Sequence, residues 1–265
     1  MSTLVPEVLA GLLDDAAIFP PGNASLPEAV ISHAAHLRNA YAAALGPLVV
    51  RVADLALVWD GPLSVVSRLD DAHAAVAAAG PRLRALEVAL PAAARADEVR
   101  SLASLGVDVF VEVPRDARRS AVLEELAATG LSAKFRTGGL TADMYPSPAE
   151  LAGSIVAAVR AGVPFKATAG LHHAVRHTDA ATGITQHGFL NLLVATAAAR
   201  AGAPDEEVGA VLASRDECGV ADGARALTPE VRESFRSFGT CSIREPLDDL
   251  ARLGLLPTAW KEGAA

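Results

Sequence analysis

The sequence predicts a single (β/α)8 barrel of the TIM type. Short β-favouring runs alternate with longer Ala/Leu-rich helical patterns along the whole chain, the signature of repeated βα units. The β-runs number eight, and eight parallel strands separated by helices close into a barrel, for which about 250 residues is typical. No Gly-rich dinucleotide fingerprint follows the first run, which leaves a doubly wound open sheet as the weaker alternative.

Taken in order, the first strand is expected in "DAAIFP" (15–20), behind an N-terminal helical cap over residues 1–14. "PLVVRV" (47–52) and "LSVVSRL" (63–69) follow, with "ADLALVWDG" supplying a short helix between them. "LRALEVAL" (83–90), "VDVFVEVP" (107–114), "SAKFRTGG" (132–139), "VPFKATAG" (163–170) and "SFGTCSI" (237–243) complete the eight. Helix starts are marked by the capping boxes "SLPE" at Ser25 and "SPAE" at Ser147, and by "TPE" at Thr228. No Pro/Gly/Ser-rich linker divides the chain, so residues 1–265 read as one domain with a short flexible tail over 258–265.

Composition bounds the function. The 265 residues are 51% hydrophobic and 20% charged, enough apolar surface for a large core. A net charge of −8 without a basic run argues against nucleic acid and acidic membranes as partners. The absence of a basic leader or a long apolar run predicts a soluble, cytoplasmic protein. Cys218 and Cys241 fit neither a disulfide framework nor a thiolate metal knuckle. A small, anionic substrate is the expected partner, no cofactor is expected, and a homo-oligomer is left open.

Side chains alternate between the faces of a strand. In 107–114 the valines form one face and Asp108, Phe110 and Glu112 the other; in 83–90, Glu87 shares its face with Ala85 and Ala89. Lys134 and Arg136 point one way while Ala133 and Phe135 point the other, and Lys166 and Thr168 oppose Phe165 and Ala167. Four successive strands thus place Glu87, Glu112, Lys134, Arg136 and Lys166 inside the barrel, near the C-terminal ends where barrel active sites lie. Buried charges require partners or water. If the cluster only pairs internally, Glu112 meets Lys134 and Arg136 meets Glu87 or a loop carbonyl. If it is a site, the neighbouring ammonium groups of Lys134 and Lys166 repel, and one lysine becomes a nucleophile for carbonyls or a general base.

"KFRTGG" from Lys134 resembles the K-x-x-T-G strand of deoxyribose-phosphate aldolase, a class I aldolase barrel. "KATAG" from Lys166 is similar to that family's K-A-S-G-G, and "FGTCS", Phe238 to Ser242, to its F-G-A-S-S. The resemblance covers the last three strands. It implies a lyase in which Lys134 forms a Schiff base, Lys166 tunes it, and the backbone near Gly239 and Ser242 holds an anion. Arg136 stands where the family has a small residue, and "LHH" follows the second lysine motif, so the resemblance speaks for the chemistry rather than for deoxyribose phosphate itself.

The expected catalytic groups are therefore Lys134, Lys166 and Glu112, with Arg136 binding a carboxylate or phosphate. Thr137, Gly138, Gly139, Thr168, Gly170, His172, His173, Gly239, Ser242 and Glu87 are expected around the substrate, the glycines letting backbone amides approach an anion. No metal ligand belongs to this reading. A metal-assisted alternative uses Glu87, Glu112 and a histidine from His172, His173, His177 or His187; a third reading is a catalytically silent anion-binding barrel. His33 and His36 read as surface or packing residues, and Asp14 and Asp15 as helix-end or bottom-face residues. Cys241 reads as small-residue packing, with an available thiol if it lies at the mouth. The segment 174–186 has weak periodicity and is expected as a loop over the mouth.

Overall fold

A computed structural model of the chain describes residues 5–57 and 60–257. Its parallel strands run β1 (Leu13–Asp15), β2 (Leu45–Arg51), β3 (Leu63–Arg68), β4 (Leu83–Ala89), β5 (Asp108–Glu112), β6 (Ser132–Arg136) and β7 (Phe165–Thr168). After a separate hairpin of β8 (His177–Thr178) and β9 (Thr185–Gln186) comes β10 (Phe235–Thr240), which pairs with both β7 and β1 and closes the barrel. The helices are α1 (Leu26–His36), α2 (Ala72–Ala79), α3 (Arg119–Thr129), α4 (Pro148–Arg160), α5 (Phe189–Arg200), α6 (Asp205–Ala213), α7 (Glu217–Arg225) and α8 (Arg244–Arg252). The fold is the expected (β/α)8 barrel. Among the described residues no helix is long and apolar enough to cross a membrane.

Alternation along the strands builds two cores. The outward residues Leu86, Val88, Val109, Val111, Ala133 and Ala167 are buried against the helical shell. Phe135, Phe165 and Phe235 form a chain of rings with centroids 5.1 and 5.2 Å apart across β6, β7 and β10. Burying one such ring contributes about 1.5–3 kcal/mol. Phe110 faces the other way, its ring centroid 5.5 Å from Lys166 Nζ inside the barrel.

The helix-start signals differ in detail. At Ser25 the box is complete: Ser25 Oγ accepts from the Glu28 N–H while Glu28 accepts from the Ser25 N–H. At Ser147 only half forms, because the Glu150 carboxylate pairs with Arg115 at 2.6 Å instead. "TPE" opens a 3-10 turn, Pro229–Glu233, rather than an α-helix. The connections β2 to β3 and β4 to β5 are also 3-10, Val52–Leu57 and Ala96–Ser104.

The first strand is Leu13–Asp15, not 15–20. The apolar residues that imitate a strand there have other employment: Ile18 is buried in the core and Phe19 lines a cavity at the mouth. The expected helical cap over 1–14 reduces, in its described part, to the 3-10 turn Glu7–Leu9 before β1. The expected tail over 258–265 lies outside the described residues. The segment 174–186 carries the antiparallel hairpin β8–β9, with His177 opposite Gln186.

Candidate active site at the barrel mouth

Inside the barrel six charged side chains form a chain of alternating sign. Asp14 Oδ2 lies 2.6 Å from Lys166 Nζ, which lies 2.6 Å from Glu87 Oε1. The other Glu87 oxygen is 3.3 Å from Lys134 Nζ, and Lys134 is 3.1 Å from Glu112 Oε2. Glu112 Oε1 then accepts from Arg136 Nε at 2.9 Å. Three carboxylates thus compensate three cations contributed by β1, β4, β5, β6 and β7. Ser237 donates to Asp14 and Ser64 to Glu87, which satisfies remaining lone pairs, as a buried ion network requires. Gly46 is needed beside it: a Cβ there would sit 1.9 Å from Asp14 Oδ1.

Protonation follows from this order. Burial alone would raise the Glu87 pKa, but Lys166 and Lys134 outweigh it and lower the value to about 2. Burial opposes the charge on Lys166 too, yet Asp14 and Glu87 hold that lysine above its ordinary pKa. The expected depression of one lysine by the other therefore does not occur at Lys166, because Glu87 stands between the ammonium groups. Burial would also raise Glu112, and Lys134 with Arg136 reverses the sign and holds it below the ordinary carboxylate range. Asp14 is pushed up by burial, against Lys166 and Ser237.

One end of the chain meets a cavity. A space of about 250 Å³ opens at the C-terminal ends of the strands, with Glu87, Lys134, Arg136 and Thr168 in its wall beside Val49, Val66 and Phe19. Gly139, Gly170, Gly239, His172 and Cys241 complete the expected part of its rim. A second space of about 520 Å³ lies outside it, sharing Pro20, Gly139, Leu140, Gly170, His172 and Cys241. His173, His177, Tyr145, Ser242, Glu245 and the hairpin residues Asp179, Thr182, Ile184 and Gln186 line this outer chamber. The segment 174–186 therefore does border the mouth.

Other expected site residues are placed elsewhere. Lys166 is buried and lines neither cavity; it is the partner that fixes Glu87. Glu112 also lines neither, and reaches the cavity only through Lys134 and Arg136. Thr137 is fully buried, its hydroxyl donating to the carbonyls of Ala169 (2.7 Å) and Thr168 (3.2 Å), so it clamps β6 to β7. Gly138 packs on Tyr145 and Gly170, where a Cβ would meet the ring at 2.7 Å. These two shape the rim from behind.

Asp14 and Asp15 are not bottom-face residues. With β1 beginning at Leu13, Asp14 faces the barrel interior and Asp15 the shell, where its Oδ2 lies 3.0 Å from His33 Nδ1 of α1. His33 and His36 are both buried, the latter bonded to Tyr41 at 2.7 Å, so packing rather than surface describes them. Strand alternation extended back to Leu13 was the signal that identifies Asp14; nothing local in the sequence marks Glu245, which pairs with His172 at 2.9 Å.

The histidines do not converge on the inner carboxylates. His172 pairs with Glu245 and His173 with Asp249 (3.1 Å), while His173 and His177 meet edge to face. Among the described residues no three His, Cys, Asp or Glu side chains are grouped to hold a metal ion. His187 is fully buried, with Nε2 2.8 Å from the Pro146 carbonyl and Nδ1 3.2 Å from Arg176. Burial, aided by Arg176 and opposed by the carbonyl, lowers its pKa to about 4. Between that value and the ordinary one near 6.5 the unfolded chain binds the extra proton, so stability falls as pH drops through this window. His187→Gln should shrink the loss of unfolding free energy between pH 7 and pH 5 by about 2 kcal/mol, read by urea denaturation at both pH values. An unchanged difference would assign the acid sensitivity to other groups.

Neither the protein-family models nor the curated proteins provide a match to this chain, and its chemistry has to be read from the cavity itself.

Proposed function

We propose that the protein is a lyase of class I aldolase character, in which Lys134 forms a Schiff base with a small, anionic carbonyl compound. The observation that carries this reading is a lysine amine in the wall of a mouth cavity, held between two carboxylates, with an arginine beside it. Glu87, kept ionised by Lys166, positions the amine. Glu112 accepts its proton as nitrogen attacks the carbonyl carbon.

Arg136 couples binding to this step. Glu112 occupies its Nε and Nη2 (2.9 and 3.4 Å). A substrate carboxylate or phosphate in the cavity competes for the guanidinium, loosens its hold on Glu112, and so raises the basicity of that carboxylate beside Lys134. Lys166 is a positioning residue here, not a nucleophile. The metal-assisted alternative has less support, since Glu87 and Glu112 are turned to Lys134 while His172 and His173 are turned to carboxylates on α8.

Borohydride reduction in a mixture of small oxo acids and aldehydes, followed by peptide mapping, tests the reading. Carbon attached at Lys134 is expected. A parent protein that traps nothing but retains a bound anion would favour an anion-binding barrel. For substrates found this way, Arg136→Met should raise KM at least about tenfold while kcat falls less, because it removes the bidentate donor and keeps the stem. Steady-state kinetics decide; a fall in kcat alone would place the anion elsewhere.

A further inference from the structure

The outer chamber carries a proton-transfer group that the Lys134 chemistry has not used. Among the described residues, His172 is the one ionisable ring in the wall common to both cavities. Its Nδ1 lies 2.9 Å from Glu245 Oε2, and Cys241 Sγ packs 3.8 Å from both ring nitrogens. Lys134, Arg136 and Glu87 line only the inner space, and Glu245 only the outer. A molecule bonded to Lys134 and too long for the inner space passes His172 on its way out under the hairpin.

Other polar groups of the outer chamber are placed differently. Tyr145 donates to the Gly139 carbonyl at 3.1 Å, and burial holds its hydroxyl above the ordinary pKa. His173 lines only the outer chamber and pairs with Asp249, which also accepts from the Ala174 N–H. The carboxylates next to Lys134 serve the carbonyl end and line no part of the outer space. His177 lines the outer chamber alone, so His172, in the wall of both spaces, is the acid–base group placed to serve the distal half of the substrate.

We infer that His172, oriented by Glu245, is a second catalytic residue, which takes the β-hydroxyl proton of an aldol bonded to Lys134. This rests on the Schiff-base reading. Lys134 Nζ adds to the carbonyl carbon and water leaves, giving an iminium. In the tautomer with its proton on Nδ1, donated to Glu245, His172 accepts the β-hydroxyl proton at Nε2. The carbon–carbon bond breaks, its electron pair forming the enamine, and the hydroxyl carbon becomes the carbonyl of an aldehyde that departs through the outer chamber. Protonation of the enamine carbon and hydrolysis of the iminium release the second fragment, so no oxidant or reductant is needed.

The probe is a panel of 4-hydroxy-2-oxo acids of increasing length, which place a carboxylate for Arg136, a carbonyl for Lys134 and a β-hydroxyl for His172. Two readouts are taken on each protein: borohydride trapping on Lys134 and release of free aldehyde. In His172→Ala, trapping should persist while cleavage falls by about 10²–10⁴-fold and is partly restored by added imidazole. Glu245→Gln, at a half-exposed position that leaves folding intact, should keep trapping and lose cleavage by about tenfold. If His172→Ala does not fold, this second variant decides. Cleavage unchanged in the variants, trapping and cleavage lost together, or a parent that traps without cleaving would each overturn the inference and leave the Schiff base standing. A parent that traps no member of the panel would overturn both.

Discussion

Lys166→Met should cost about 3–5 kcal/mol of unfolding free energy, more than any exposed substitution in the chain. The reason is what remains rather than what is removed. Asp14 and Glu87 are both buried, each 2.6 Å from the Lys166 ammonium, and the substitution leaves two carboxylates inside a barrel with one cation fewer. Asp14 has Ser237 as its remaining partner and is already pushed up by burial. Without Lys166 it takes up a proton at still higher pH. A carboxyl whose folded pKa exceeds its unfolded one destabilises increasingly as pH rises above the unfolded value and through the folded one, so the penalty should be larger at pH 8 than at pH 5. Asp14→Asn added to Lys166→Met should recover part of the loss. Denaturant titration of the two variants at both pH values provides the test, and a near-neutral Lys166→Met would mean the interior tolerates uncompensated charge.

Lys134→Met should do the opposite: keep the fold and abolish the chemistry. Its removal leaves Glu87 bonded to Lys166 and Ser64, and Glu112 bonded to Arg136, so neither carboxylate is orphaned. Destabilisation of about 1–3 kcal/mol is expected. Borohydride-dependent attachment of substrate carbon should vanish, and kcat/KM on any substrate found by trapping should fall on the order of 10⁴-fold or more. Mass mapping after reduction is the measurement. Attachment that survives at Lys166 would move the nucleophile; equal destabilisation by Lys134→Met and Lys166→Met, with no carbon trapped in the parent, would reduce the cluster to a structural ion network.

The contrast between the two lysines shows how far a one-dimensional reading extends. Period-two alternation put both on inner faces, and β6–β7 pairing sets Lys134 directly beside Lys166. Which of them meets the cavity depends on what stands opposite. For Lys166 that is Asp14, 152 positions away, brought near because β10 closes the barrel against β1. Placing the first strand two residues late hides this partner, since Asp14 then falls before the strand and has no face assigned. Likewise Arg136 pairs with Glu112 rather than Glu87, a choice made by neighbouring β5 and β6 that spacing alone leaves open.

The sequence by itself determined the number of barrel strands, the side of β4, β5, β6 and β7 that faces the axis, and the presence of five charges inside. Those properties follow from local alternation, capping and turn chemistry, which act over a few residues. Only the tertiary structure decided the order of the ion chain, the retreat of Lys166 and Thr137 behind the wall, and the approach of Glu245 to His172 from α8. Each of these joins residues far apart in the chain, and the energy that selects them, Coulombic and solvation energy at separations near 3 Å, exists only once the barrel has closed and water has been excluded.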